Sequence, residues 1–166
     1  MIKTAILTIS DRGARGERED KSGEAIKSGL KDIDAIVTTY NVIPDEKELI
    51  VEKLRQLSMD CDLILTTGGT GVSPRDVTPE ATKEVIEKEL PGFAEVMRME
   101  SYKVTPFAIG SRAIAGIRDK TLIINLPGSP KAVSECLGFI IKVIPHTVKL
   151  IKGNVTDCAD DIKVKS

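Results

Sequence analysis

A chain of 166 residues suits one domain with a sizeable core. Its 24 lysines and arginines nearly cancel 25 acidic residues, leaving a formal charge of -1, which argues against a broad nucleic-acid-binding face but not against a local basic pocket. One histidine excludes a His-rich zinc site, and five aromatics (Tyr40, Tyr102, Phe93, Phe107 and Phe139) are too few for a base-stacking platform, so chemistry must rest on carboxylates, hydroxyls, lysines and backbone amides.

Residues 3–10 (KTAILTIS) read as a buried strand, followed by a polar, charged stretch from Asp11 to Gly23 that is expected to be a mobile loop. A short helix is expected over 22–30 and a second strand over 33–43, ending at Pro44-Asp45. Residues 46–57 then place Leu49, Ile50, Leu54 and Leu57 on one helical face. The third strand, 61–67, runs straight into Gly68-Gly69-Thr70-Gly71. Thr78-Pro79-Glu80 supplies a cap residue, a proline at the first helical position and an early acid, predicting a helix from Thr78 to about Glu89.

Pro91-Gly92 breaks that helix, and another is expected over 93–102. Residues 111–118 and 121–126 flank Asp119-Lys120 as a hairpin, and the second of them, TLIINL, is the most apolar strand of the chain. It ends at Pro127-Gly128-Ser129-Pro130. A helix follows, with Val133, Cys136, Leu137, Ile140, Ile141 and Ile144 on its apolar face; Pro145 interrupts it, and a last short helix runs to Ile151. The domain is expected to span 1–152, with 153–166 a polar C-terminal tail. Alternating strands and helices predict an α/β fold whose mostly parallel sheet is covered on both faces.

Cys61, Cys136 and Cys158 form no C-x-x-C pair, so neither a disulfide framework nor a zinc knuckle is supported. The first two read as small buried hydrophobes, and Cys158 as incidental to the tail. The apolar run at the N-terminus is too short for a signal peptide or a membrane span, and a cytoplasmic location is expected.

In an open α/β sheet, ligands bind outside the carboxyl ends of the strands. Four loops leave strands there, at Ser10-Asp11, at Pro44-Asp45, from Thr67 to Asp76, and from Asn125 to Lys131. The third, TTGGTGVSPRD, is the sharpest feature. Its glycines Gly68, Gly69 and Gly71 let backbone N–H groups face a phosphate, Thr66, Thr67 and Thr70 add hydroxyls, Ser73 sits at the turn, and Arg75 adds positive charge. It is neither a P-loop, lacking the G-K-[ST] ending, nor a dinucleotide fingerprint. A tight strand-to-helix turn is the alternative reading.

Asp45 and Asp76 are the paired carboxylates able to hold a Mg²⁺ that bridges substrate phosphates. The alternatives are a helix cap for Asp45 and a turn or capping acid for Asp76. Gly128, Ser129, Pro130 and Lys131 open the late helix, whose free N–H groups and dipole favour an anion; a serine cap with proline at the first turn is the alternative. His146 lies away from all four loops and is read as structural or simply exposed.

Taken together, Ser10-Asp11-Arg12, Asp20-Lys21-Ser22-Gly23, Pro44-Asp45, TTGGTGVSPRDVTPEAT (66–82), Pro91-Gly92-Phe93 and LPGSPKAV (126–133) resemble the molybdopterin adenylyltransferase family, the Mog/MoaB group that also includes the G domain of gephyrin. The match runs in order over roughly residues 5–145. The resemblance implies a three-layer α/β/α sandwich with a short antiparallel hairpin, assembling as a homotrimer or hexamer. It implies adenylylation of molybdopterin by Mg-ATP with release of pyrophosphate, ahead of a separate molybdenum insertase. Asp45 and Asp76 match the family's two functionally important aspartates, Gly69-Thr70-Gly71 and Gly128-Ser129 its ligand-binding loops, and Ser10-Asp11 the motif at the end of strand one. Two other readings stand beside it: a molybdopterin-binding or scaffold member without catalysis, and a nucleotide pyrophosphate hydrolase. The retained R-D-V-T-P-E segment favours the active enzyme.

Overall fold

Alternating strand residues feed two separate apolar cores, and this fixes the layering. Ile6, Leu63, Leu65, Leu122, Ile124 and Leu126 point to one face, and Ala5, Leu7, Ile9, Ile64 and Ile123 to the other. The computed structural model describes residues 1–153. Its strands are β1 (Ile2–Ile9), β2 (Ala35–Ile43), β3 (Leu63–Thr67), β4 (Lys88–Glu89), β5 (Ala115–Arg118) and β6 (Thr121–Leu126), in sheet order β2-β1-β3-β6-β5-β4. The first three junctions are parallel and the last two antiparallel. The expected sandwich with a terminal hairpin is therefore the observed architecture.

The helices are α1 (Asp11–Ala14), α2 (Lys21–Gly29), α3 (Lys47–Leu57), α4 (Thr78–Val85), α5 (Pro91–Tyr102), α6 (Pro130–Ile140) and α7 (Ile144–Ile151). Ile26 of α2, Ala94 and Met97 of α5, Val133, Cys136, Leu137 and Ile140 of α6, and Ile144 and Val148 of α7 bury one face of the sheet. Ile50, Val51, Leu54 and Leu57 of α3, with Ala81 and Val85 of α4, bury the other. Cys61 and Cys136 are buried free thiols, as expected of small apolar residues.

Four local expectations are corrected. The stretch after β1 is ordered rather than open: Ser10 Oγ accepts from the Gly13 N–H at 3.0 Å to cap α1, and Asp20 Oδ1 accepts from the Gly23 N–H at 2.9 Å to cap α2. Helix α4 stops at Val85, because Glu87 and Leu90 donate backbone N–H groups to Ile117 and Ala115 of β5. The sheet edge outcompetes the helix propensity of the charged run that follows. Thr78 is the first helical residue rather than the cap, and its hydroxyl donates to the Gly68 carbonyl at 2.9 Å. Strand β5 begins at Ala115, while Asp119 takes the left-handed conformation (φ 50°) at the hairpin turn. The tail from residue 154 onward, with Cys158, lies outside the described residues.

One buried polar bridge ties the sheet to α4. Asn125 is fully buried, and its side-chain amide donates to Thr66 Oγ1 at 3.0 Å and Thr82 Oγ1 at 2.9 Å. Its carbonyl accepts from the Ile114 N–H at 3.3 Å. Truncation would strand several buried groups at once, and each carries the full cost of dehydration. Asn125→Ala is expected to lower unfolding free energy by about 2–4 kcal/mol in a urea titration.

Candidate functional site

The chain leaves β1 toward β2 on one side, while β3 lies on its other side, so a crevice opens outside the carboxyl ends of β1 and β3. Close approach at this point depends on Gly68. Its φ is +95°, and a Cβ there would sit 2.2 Å from the Ile9 carbonyl oxygen. Any side chain would push the glycine loop away from the end of β1.

Three charged side chains tie the strand ends together. Asp45 Oδ2 accepts from the Asp11 N–H at 2.9 Å, and Asp11 Oδ1 accepts from the Asp45 N–H at 3.0 Å. Arg75 closes this exchange, donating Nε to Asp11 Oδ2 at 3.0 Å and Nη2 to Asp11 Oδ1 at 2.8 Å. The Arg75 guanidinium, then the Asp45 N–H, hold the Asp11 carboxyl below the ordinary range. Burial pushes the Asp45 carboxyl upward, the Asp11 and Asp76 charges add to that, and the Asp11 N–H only partly opposes it. Asp45 does not cap α3: Glu46 holds that cap position, without a side-chain bond.

Asp76 is located by its own turn. Its Oδ2 accepts from the Ser73 N–H at 2.8 Å, while its backbone N–H donates to the Ser73 carbonyl at 2.9 Å. A Cβ on Gly71 would approach that oxygen to 2.9 Å, and one on Gly69 would lie 3.1 Å from Asp45 Oδ1. The two glycines thus bring the loop backbone against both carboxylates.

Two cavities share a wall made by Gly69 and Gly128. The first, about 530 Å³, is lined by Ser10, Asp45, Thr67 and Gly68, with Arg18, Asp20, Lys21 and Ser22 from the α1–α2 region, and by Pro130. The second, about 490 Å³, is more apolar; it takes in Thr70, Gly71, Val72 and Asp76, with Arg98, Ser101 and Phe107 opposite. The four loops expected at this edge therefore converge. Ser129 accepts from the Ala132 N–H at 3.2 Å as the cap of α6, and it and Lys131 are exposed. Thr67 spends its hydroxyl on the Pro127 carbonyl at 2.6 Å, joining two of the loops.

Residues Arg18 to Ser22, in the charged run after β1, line the first cavity, though none of them is among the expected site residues. Asp20 is their anchor. One of its oxygens accepts from Thr8 and Tyr40 hydroxyls, each at 2.5 Å, while the other caps α2. Ser22 then donates to the Gly128 carbonyl at 2.6 Å. The available signal was the cap pattern Asp20-Lys21-Ser22-Gly23, an acid three residues before an N–H that needs a partner. Burial and the Asp20 carboxylate both raise the Tyr40 phenol, keeping it a hydrogen donor.

A carboxyl whose pKa is raised by folding destabilises the folded state when it ionises. Asp45 thus weighs against folding at neutral pH, and stability returns as pH falls through its raised pKa. Asp45→Asn keeps an oxygen for the Asp11 N–H and removes the charge. Its melting temperature is expected to exceed that of the parent at pH 7, with the gain shrinking as pH falls into the carboxylate range.

A family model described as a probable molybdopterin binding domain matches residues 5–146. A molybdopterin adenylyltransferase of Helicobacter pylori (strain J99 / ATCC 700824) is 49% identical over 157 residues, covering 92% of this chain and 89% of that protein. The gephyrin of Dictyostelium discoideum is 46% identical over 159 residues, 89% of this chain but 22% of the longer relative. Among solved structures, the molybdopterin biosynthesis enzyme MoaB of Thermus thermophilus superposes with a TM-score of 0.87 at 47% identity, covering 92% of this chain and 98% of that one. The match runs from within β1 to the start of α7 and includes every loop of the crevice: the chain belongs to the molybdopterin-binding domain family.

Proposed function

We propose that this protein is a molybdopterin adenylyltransferase of molybdenum cofactor biosynthesis, which joins the terminal phosphate of molybdopterin to the α-phosphate of ATP. The carrying observation is that two cavities of ligand size meet at one glycine wall, with Asp45 beside one and Asp76 beside the other. A transferase that unites two bulky substrates through their phosphates needs two seats and one shared edge. The relatives named molybdopterin adenylyltransferase support the substrate pair.

The chemistry asks for placement and charge neutralisation rather than a covalent enzyme intermediate. An oxygen of the pterin's phosphate attacks the α-phosphorus of ATP. The bond from that phosphorus to the oxygen bridging α and β breaks, and pyrophosphate leaves with the electron pair. The attacking phosphate is already ionised at pH 7, so no strong general base is required. Amides of Gly68, Gly69 and Gly71 are the donors suited to phosphate oxygens, and Arg18 and Lys21 bring cationic side chains to the first cavity.

Among the described residues, no group of three or more His, Cys, Asp and Glu side chains encloses a metal by itself. This donor set fits Mg²⁺, which keeps its waters and is completed by substrate phosphates beside one or two carboxylates. Asp45 and Asp76 would hold it, and bound there it would neutralise charge on the phosphates. Asp11, engaged by Arg75 and Asp45, orients rather than binds. Ser10 lines the first cavity, while Ser73, Arg75, Ser129 and Lys131 stand at the loop ends outside both linings. A homotrimer, with a hexamer as the alternative, a cytoplasmic location and a molybdenum insertase downstream belong to the same reading. Among the described residues, no helix is long and apolar enough to cross a membrane.

Asp76→Asn preserves shape and removes the charge. With molybdopterin, ATP and Mg²⁺, AMP transfer by this variant is expected to fall roughly 100- to 1,000-fold while the melting profile holds. Equal turnover by variant and parent would refute the assignment. His146→Gln, on α7, is expected to leave turnover nearly unchanged in the same assay.

A further inference from the structure

Asp76 lies in the turn just before α4, whose first residue Thr78 bonds only the Gly68–Gly69 end of the loop, yet the Asp76 carboxylate must hold one position. The support comes from a distant segment. Arg112, in the stretch leading into β5, donates Nε to the Gly71 carbonyl at 2.6 Å and Nη2 to the Asp76 carbonyl at 2.7 Å. Its Nη1 pairs with the Glu80 carboxylate on α4, and its backbone N–H donates to the Thr70 carbonyl at 2.8 Å. One guanidinium therefore grips both ends of the turn from Gly71 to Asp76. The planar fork can reach two carbonyls and a carboxylate at once, which an ammonium cannot. The segment bearing Arg112 is itself fixed from α5, where Arg98 Nη1 donates to the Ala113 carbonyl at 2.9 Å and the Ser111 carbonyl at 3.4 Å.

We propose that Arg112 is a positioning residue for the transfer reaction, clamping the Gly71 and Asp76 carbonyls so that the Asp76 carboxylate is presented to the substrate phosphates. This rests on the adenylyl-transfer reading for its effect on turnover, but not for its effect on the loop. Arg112 acts through Asp76 and is absent from the linings of both cavities. Glu80 orients the guanidinium: burial opposes its ionisation, but the Arg112 hydrogen bond, its own backbone N–H and the Arg112 and Lys47 charges together draw its carboxyl below the ordinary range.

Arg112→Ala and Arg112→Lys test this with two readouts. Lysine keeps the charge and the alkyl stem but loses the fork, so it decides the matter where the alanine variant folds poorly. Both variants are expected to lose roughly 10- to 100-fold in kcat for AMP transfer, as for other misplacements of a reacting group, with KM for either substrate changing little. Hydrogen exchange at the Ser73 and Asp76 amides, which bond within the clamped turn, is expected to quicken in both variants. Guanidinium ion added at millimolar concentration is expected to recover part of the turnover of Arg112→Ala and none of that of Asp76→Asn. Arg112→Lys with parental kcat and parental exchange at these amides would overturn the proposal. If the parent protein transfers no AMP at all, the adenylyl-transfer reading fails alone; parental exchange in both variants would then still overturn the clamp.

Discussion

The mutual exchange of backbone N–H bonds between Asp11 and Asp45 is the constraint on which the crevice depends. Parallel strands leave their carboxyl ends with no hairpin to join them, so loops from β1 and β2 would otherwise diverge. Here each carboxylate accepts the other's amide, and Arg75, coming from the loop after β3, spans the Asp11 carboxylate with two bonds. Three strand ends are thereby tied at one place. Gly68 completes the convergence, because only a residue without a side chain lets the third loop lie against the Ile9 carbonyl.

The composition acquires a positive meaning from this arrangement. Five aromatics and one histidine leave little for stacking or for imidazole acid–base chemistry. What collects at the strand ends is carboxylates, arginines, hydroxyls and amides. Arginine is used in three different ways there: Arg75 pins a carboxylate, Arg112 grips carbonyls, and Arg18 faces a cavity. Near-neutral net charge thus coexists with specific local pairs, Arg75 with Asp11 and Arg112 with Glu80.

Strand positions and the layered fold were legible because buried parallel strands read as apolar runs, and TLIINL lies fully buried in β6. The four loops were legible from their turn chemistry, and their convergence followed from the handedness of α/β crossovers. Less legible was anything set by a partner distant in sequence. The run after Val85 looks helical, and it becomes strand only because β5 offers unpaired backbone beside it. Asp45 looks like a helix cap, and its carboxylate is instead claimed by Asp11 from 34 positions earlier. Arg112 gave no local signal, since its partners are carbonyl groups about 40 residues away that any sequence would carry. Side chains that bind backbone leave no pattern in their partners' residue types.

In the proposed reaction the two cavities hold two substrates whose phosphates become joined. The most direct measurement follows ATP labelled at its α-phosphate, incubated with the purified protein, molybdopterin and Mg²⁺. Label is expected to move onto the pterin, with one pyrophosphate released for each AMP attached, and neither product is expected to form without molybdopterin. Label appearing as free AMP in the absence of the pterin, or failing to reach the pterin at all, would contradict this reading.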